Sequence, residues 1–510
     1  MRSIASRLRV VSRGAAVFAA LILCAALARA STRPKYGGTL RVELAARVAT
    51  LDPRQPAVAG QSPASPAATL AQERLDALLF DRLVRFNEHG GLEGVLAASW
   101  KSEEQDKRWH FQLRPNIKFS DGTPLTADIA AQALAAILGA NFQISGNALD
   151  LLIESAQPMP DLPERMATGR NFIFHVASDG SLAGTGPFTL DEWVPDGAPG
   201  RAIFVANENC WMGRPFVDRI EVSLGVEPQR IEADLEFGLA DVADLSPAEL
   251  RRAAQRGART WSSKPVELLA IVFDLQRPAV QDARLREAIA LAVDRNALAS
   301  VVLQRQAVAA GGLLPQWISG YAFLFPTAVD TGGALSLAHS VASARAEGSP
   351  APAPLVLVYD ASDAEARAIA ERIAVNLHDA GIAMQTQPAK PGGTPADVRL
   401  VRVRITSPEP RAALLQTLEA LGISNVPGPA DNRPESLYAA ERAALADGRV
   451  IPLVHEMESC GLSAALRDWM PLDSGEWRLD DVWLAQSAEP SPAAAPTSAP
   501  PAPAATGGRP

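Results

Sequence analysis

The stretch LVLVYDASDAEARAIAERIAVNLHDAGIAMQT, residues 355–386, carries the fold class of this chain. Its apolar run Leu355–Tyr359 reads as a strand. Ser362-Asp-Ala-Glu365 spells a capping box, in which the serine hydroxyl and the glutamate carboxylate satisfy amides at a helix start. Behind it Ala366, Ile369, Ile373, Leu377 and Ala380 recur at helical spacing and define one apolar face. Gly381 supplies the left-handed residue that ends helices, and Ile382–Thr386 opens the next strand. A strand, helix and strand in this succession predict a right-handed parallel crossover. Such a unit belongs in an α/β layer, with helices packed on a sheet.

The same alternation extends on the N-terminal side. Thr39–Leu44 alternates polar and apolar residues as a half-buried strand does, and Leu51-Asp52-Pro53 ends it. Thr69–Phe80 is helical in pattern, and Arg108–Arg114 alternates again as a strand. Phe119–Thr123 is a turn with Gly122 where positive φ is easiest, and Thr126 caps an alanine-rich helix through about Leu138. Val266–Leu275 is a strand, and Asp282 caps a helix with Leu285, Ile289 and Ala292 on one face. Residues 328–353 and 389–396 read as loops, the former with a weak helical pattern at Ser336–Ala344. Trp100, Trp109 and Trp193 follow strand patterns and read as core. Gly184-Thr-Gly-Pro187 lacks the lysine of a phosphate cradle, so its glycines are expected to fit a crowded bend.

Length and composition bound the function. At 510 residues the chain has room for about three domains. With 47% hydrophobic and 21% charged residues it is not mostly disordered. A net charge of −9, with no basic excess, disfavours nucleic acid as a partner. The histidines at 89, 110, 175, 339, 378 and 455 are far apart; His89 with Glu93 and His455 with Glu458 are weak pairs, so no metal or other cofactor is expected.

Arg2, Arg7, Arg9 and Arg13 precede an apolar run from Gly14 to Ala28, shorter than the roughly 20 residues a membrane helix needs. Ala28-Arg29-Ala30 follows, so cleavage is expected near Ala30–Ser31, with an uncleaved anchor as the alternative. Leu23 before Cys24 argues against a lipid anchor. Cleavage leaves 43 basic against 57 acidic residues, net −14. In an oxidising compartment Cys210 and Cys460 either pair or stay as two buried thiols. The Pro/Ala/Ser-rich segment 486–510 is expected to be a disordered tail.

Several motifs, in order, carry a family resemblance: GGTLRV (37–42), TLDP (50–53), LFDRLVRFNEHGGLEGVLAASW (79–100), WHFQLRPNIKFSDGTPLTADIAAQAL (109–134) and GTGPF (184–188). NENCWMGRPFVDRIEV (207–222), VQDARLREAIALAVDR (280–295), DAEARAIAERIAVNLHDAGI (363–382) and IPLVH (451–455) complete the set. Together they resemble the extracellular solute-binding proteins of the peptide/nickel class, family 5, which serve ABC transporters. The resemblance implies a two-lobed, periplasmic-binding-protein-like α/β fold of class II type, with an extra subdomain in the first lobe. On this sequence lobe I would take residues 31–263, with the subdomain at about 70–183. Lobe II would take 264–450, and 451–485 would return to lobe I. The crossings would fall at Ser262–Val266 and Val450–Leu453. Such a protein, expected to be a monomer, captures a peptide or other small solute by hinge closure and delivers it to permease subunits.

The resemblance also assigns candidate ligand contacts. Counting from Asp52-Pro53, strand-like backbone at Ala57, Val58 and Ala59 would pair with an extended ligand. Aligning Glu409-Pro410 with the family's acidic-Pro pair puts Thr406 where peptide binders carry the aspartate that meets the ligand ammonium. Val403 stands where a tryptophan is common. Free-amino peptides would then need another anion, because a buried ammonium without a partner is costly; Glu409 is one candidate. Arg402 and Arg404 alternate with apolar residues: facing the cleft they would suit a carboxylate or phosphate, and on an edge strand they would face solvent. Trp317 and Tyr321 form an aromatic loop, read either as a pocket wall or as interlobe packing. A metal chelate, an opine or a sugar is the alternative cargo, and a sensor or chaperone the alternative role. An enzyme would have to use His455 and Cys460, with Asp468 and Glu458 nearby, but no nucleophile turn flanks Cys460.

Overall fold

The computed structural model describes residues 34–57, 65–344, 353–363, 365–390, 395–424 and 426–485. The expected leader, its cleavage site, Val58, Ala59 and the 486–510 tail lie outside the described residues. A mixed sheet of 11 strands forms from Gly37 onward. Ten strands lie on one continuous path: β1 (Thr39–Leu44), β2 (Phe188–Val194), β3 (Gly200–Ala206), β4 (Arg219–Leu224), β5 (Val242–Asp244), β6 (Arg259–Phe273), β7 (Leu355–Tyr359), β8 (Met384–Pro388), β9 (Val398–Arg404) and β10 (Val450–Leu462). Their order is β2-β3-β4-β1-β5-β10-β6-β9-β7-β8, and Ala307–Ala309 pairs with β10 off this path. The helices used below are α1 (Pro66–Leu79), α2 (Ala127–Leu138), α3 (Ala366–Asp379) and α4 (Pro410–Ala420).

The deciding stretch folds as expected in its larger features. β7 and β8 pair in parallel, Leu355 opposite Met384, with α3 between them in the chain. Gly381 has φ +74°, and the Ile382 amide reaches back to the Leu377 carbonyl at 2.8 Å, closing the helix. The capping box does not form. The helix begins at Ala366, and Asp363 accepts from the amides of Glu365 (2.9 Å) and Ala366 (3.0 Å). Glu365 is drawn instead to Arg402, so its carboxylate is unavailable for the cap. The second strand starts at Met384, two residues later than expected.

The sheet is covered on both faces at its C-terminal end, and strand periodicity shows how. Leu269, Ile271 and Phe273 of β6 pack with Ile369, Ile373 and Leu377 of α3. Leu268, Ala270 and Val272 turn to the other face, against Leu414 and Leu418 of α4. A strand buried on both sides reads as a continuous apolar run, as Leu268–Phe273 does. At the other end, Leu40, Val42 and Leu44 of β1 pack with Leu75, Leu78 and Leu79 of α1. A satellite antiparallel sheet of Ala97–Glu103, Arg108–Leu113, Asp150–Ser155 and Phe142–Asn147 buries Phe111, Ile153 and Trp109 against α2. Trp100 and Trp193 pack partly buried against the cores of their own regions.

β6 and β10 join the two ends. Arg259–Ser262 lies opposite Ser459–Leu462, and Glu267–Val272 opposite Val450–Glu456, with breaks in register between Ser262 and Glu267. Ile451, Leu453 and Val454 pack in the core of the C-terminal end, whereas Cys460 and Leu462 pack with β1 and α1. The segment read as a loop with weak helicity is a full helix, Thr331–Ser343, capped by Asp330. Only Ala334 of it is fully buried, which explains the faint periodicity. Gly184 and Gly186 sit so close to the Leu79 backbone that a side chain at either position would overlap it. Cys210 and Cys460 are both buried free thiols, which decides between the two states left open. No helix among the described residues is long and apolar enough to cross a membrane.

Candidate functional site

Strand alternation puts Arg402 and Arg404 on the same face of β9. Neither faces solvent: their side chains are 13% and 15% exposed. Their surroundings differ sharply. Arg402 is enclosed by four carboxylates, Glu267 (2.9 Å), Asp363, Glu365 (3.1 Å) and Glu456. Despite burial, Arg402 holds Asp363 below the usual carboxylate range. Burial, together with the neighbouring Glu456, pushes the Glu365 carboxyl well up, and Arg402 opposes that rise. Arg402 is therefore a structural tie between β6, β9, β10 and the start of α3.

Arg404 points into a cavity of about 40 Å³, whose walls include Glu73, Arg74, Arg82, Thr406 and Trp477. It pairs with Glu458, donates to the Ser474 carbonyl at 2.8 Å, and burial brings its guanidinium down to about 10. Glu458 also accepts from Arg74 of α1 at 2.7 Å, so one carboxylate bridges α1 and β9. Arg74 bonds Asp244 at 3.2 Å and stacks over the Trp477 ring, 3.8 Å from its centroid. Arg82 donates to the Gly169 carbonyl at 2.7 Å and to Glu476 at 3.1 Å. The volume admits a few waters.

Thr406 stands in this cavity, its hydroxyl 3.0 Å from the Gln416 amide oxygen. The other expected contacts lie elsewhere. Glu409 caps α4 through the Ala412 amide. Trp317 donates from its indole to the Pro265 carbonyl at 2.7 Å, under Lys264 at 5.0 Å. Tyr321 is buried, its hydroxyl donating to Glu441 at 2.7 Å. Val403 packs in the core beside α4. Ala57 is buried, its carbonyl accepting from the Ala49 amide at 2.7 Å. Glu73, Arg74, Arg82 and Trp477 escaped the sequence reading. Their only local signal is a run of charge within the helix 66–79, and Trp477 lies some 400 residues further along.

The catalytic alternative does not assemble. Five residues of extended strand separate His455 from Cys460 by about 17 Å. His455, lowered by burial to about 4, bonds the Leu313 carbonyl at 2.9 Å. Burial raises the Cys460 thiol, and Asp468 accepts from the Trp483 indole at 2.7 Å. Among the described residues no group of three or more His, Cys, Asp or Glu side chains is placed to hold a metal ion.

Solved structures define the class of protein. The fold is the two-lobed one of substrate-binding proteins: NikA from Brucella suis in complex with Fe(III)-EDTA matches with a TM-score of 0.72 at 19% identity, over 88% of this chain and all of that one. The family follows from the sequence. Residues 91–414 match the bacterial extracellular solute-binding proteins, family 5, middle region, and the chain belongs to that family. The nickel-binding periplasmic protein of Escherichia coli K12 is 28% identical over 252 residues, 43% of this chain and 47% of that protein. The probable D,D-dipeptide-binding periplasmic protein DdpA of the same organism is 26% identical over 274 residues, 48% of this chain and 52% of that one. The chain thus spans about half the length of these curated relatives.

Proposed function

We propose that this chain is an extracytoplasmic solute-binding protein that captures a peptide or similar small solute between its lobes and delivers it to the permease of an ABC transporter. The observation that carries this reading is the charged cavity where α1 of one lobe meets β9 of the other. On this reading Arg74–Glu458–Arg404 links the lobes at its wall, and Arg165–Glu419 at 2.9 Å links them outside it. A solute that replaces such pairs with its own contacts favours the closed arrangement. We read the hinge at the register breaks of β6, Ser262–Glu267, and at Met457–Ser459 opposite them. Val450–Val454 then belongs to lobe II. Export by a cleaved leader, action as a monomer and docking on permease subunits complete the reading.

Thr406, in place of an acidic anchor, favours a second reading in which the cargo is not a peptide but a metal chelate, an opine or a sugar. A melting-shift screen of those classes and of peptides distinguishes the readings. At 100 times its dissociation constant a ligand adds about 2.7 kcal/mol. If no class raises the midpoint, the solute-binding reading fails.

A further inference from the structure

Most of the charged groups around the cavity are paired with one another. Arg74, Arg82 and Arg404 are matched by Asp244, Glu458 and Glu476, each of which bonds at least one of them. Glu73 remains. It projects from α1 into the same cavity as Thr406 and Arg404, yet it makes no hydrogen bond or ion pair with any described residue. Its side chain is half-buried, so it is reached through the cavity rather than sealed in the core. Burial raises its carboxyl, and the fields of Arg82, Arg404 and Arg170 oppose that rise. All three guanidiniums are engaged elsewhere, Arg170 with the Gln55 carbonyl. A carboxyl in this position has acceptor capacity left over, directed at whatever occupies the space.

We propose that Glu73 is the anion that receives a positively charged group of the solute, an ammonium, in place of the acidic anchor missing at Thr406. The proposal rests on the solute-binding reading and adds its specificity: the anchor has moved from a strand of lobe II to a helix of lobe I. Arg404, across the cavity from Glu73, sits where it would meet the carboxylate of the same zwitterion. Glu73→Gln keeps the shape and removes the charge, and Glu73→Asp keeps the charge.

The test uses the full chain, with di-, tri- and tetra-alanine, spermidine and lysine as amine probes. N-acetylated alanine peptides are the controls, and the screen above runs alongside. The expected result is that an amine probe raises the midpoint of the wild type and its acetylated form does not. Glu73→Gln then weakens the free-amine probe about 10- to 100-fold, the worth of one charge-assisted hydrogen bond, and Glu73→Asp restores part of it. Acetylation should cost the Gln variant nothing further. Unliganded melting of the variants, equal to wild type, excludes a folding defect. Equal binding of free and acetylated probes, or unchanged affinity in Glu73→Gln, overturns the assignment while leaving solute binding intact. So does a screen in which only solutes without an amine bind. A screen in which nothing binds overturns the solute-binding reading, and this assignment with it.

Discussion

Replacing Glu441 with glutamine tests the buried polar centre around Tyr321. Glu441 is fully buried, and among the described residues no cation pairs with it. One oxygen accepts from the amides of Leu313 and Leu314, and the other from the Tyr321 hydroxyl. Burial, partly offset by these donors, raises its carboxyl from 4.5 to about 7. The folded state therefore holds a proton that the unfolded state has released between those values. This contribution is fully present below pH 4.5 and is lost as the pH rises through 7. A rise of about 2.5 units corresponds to about 3.4 kcal/mol in full, of which about 2.5 kcal/mol changes between pH 5 and pH 8.5. His455 acts in the opposite sense, losing stability as the pH falls through 6.5 toward 4, but it is common to both proteins. Urea unfolding of wild type and Glu441→Gln across pH 5 to 8.5 gives a difference curve free of shared groups. That difference should change by about 2.5 kcal/mol, with the glutamine variant gaining ground as pH rises. Parallel curves would refute the reasoning, because Glu441 would then titrate alike folded and unfolded.

Three further outcomes are expected. Gly184→Ala forces a methyl against the Leu79 carbonyl and should cost about 1–3 kcal/mol or more, read as a lowered melting midpoint; an unchanged midpoint would mean the bend relaxes freely. Cys210 and Cys460, buried and with thiols raised by burial, should react with a thiol reagent only after unfolding, and rapid labelling of the native protein would contradict their placement. Arg404→Ala leaves Glu458 with Arg74 alone and strips a donor from the Ser474 carbonyl, so calorimetry should show a loss of about 1–3 kcal/mol; wild-type stability would mean that this pair holds nothing together.

Local structure was legible where its cause is local. Thr126 caps α2 through the Ile129 amide, and Asp282 caps the helix Ala283–Ala292, because a cap needs only its own first turn. The box at Ser362–Glu365 failed because a distant group outcompeted the turn. Arg402 recruits Glu365 and Asp363, while the Ser362 hydroxyl goes to Asp360 and Ser65. The helix at Thr331–Ser343 was faint because so little of it is buried.

The chain's own pattern determined the parallel β7–α3–β8 unit, the crowded Gly184–Pro187 bend and the family to which the chain belongs. Periodicity and stop signals act over a few residues, and motifs survive in order along the chain. Tertiary structure alone decided what Arg402 and Arg404 do, although they share a strand face two residues apart. Arg402 meets carboxylates from three segments and is spent on structure, whereas Arg404 meets Glu458 and a cavity. The same holds for Glu73, whose lack of a partner is visible only when α1, β9 and the segment around Trp477 close on one space. Charge compensation depends on distances of a few ångströms between residues hundreds of positions apart, and no local pattern encodes those.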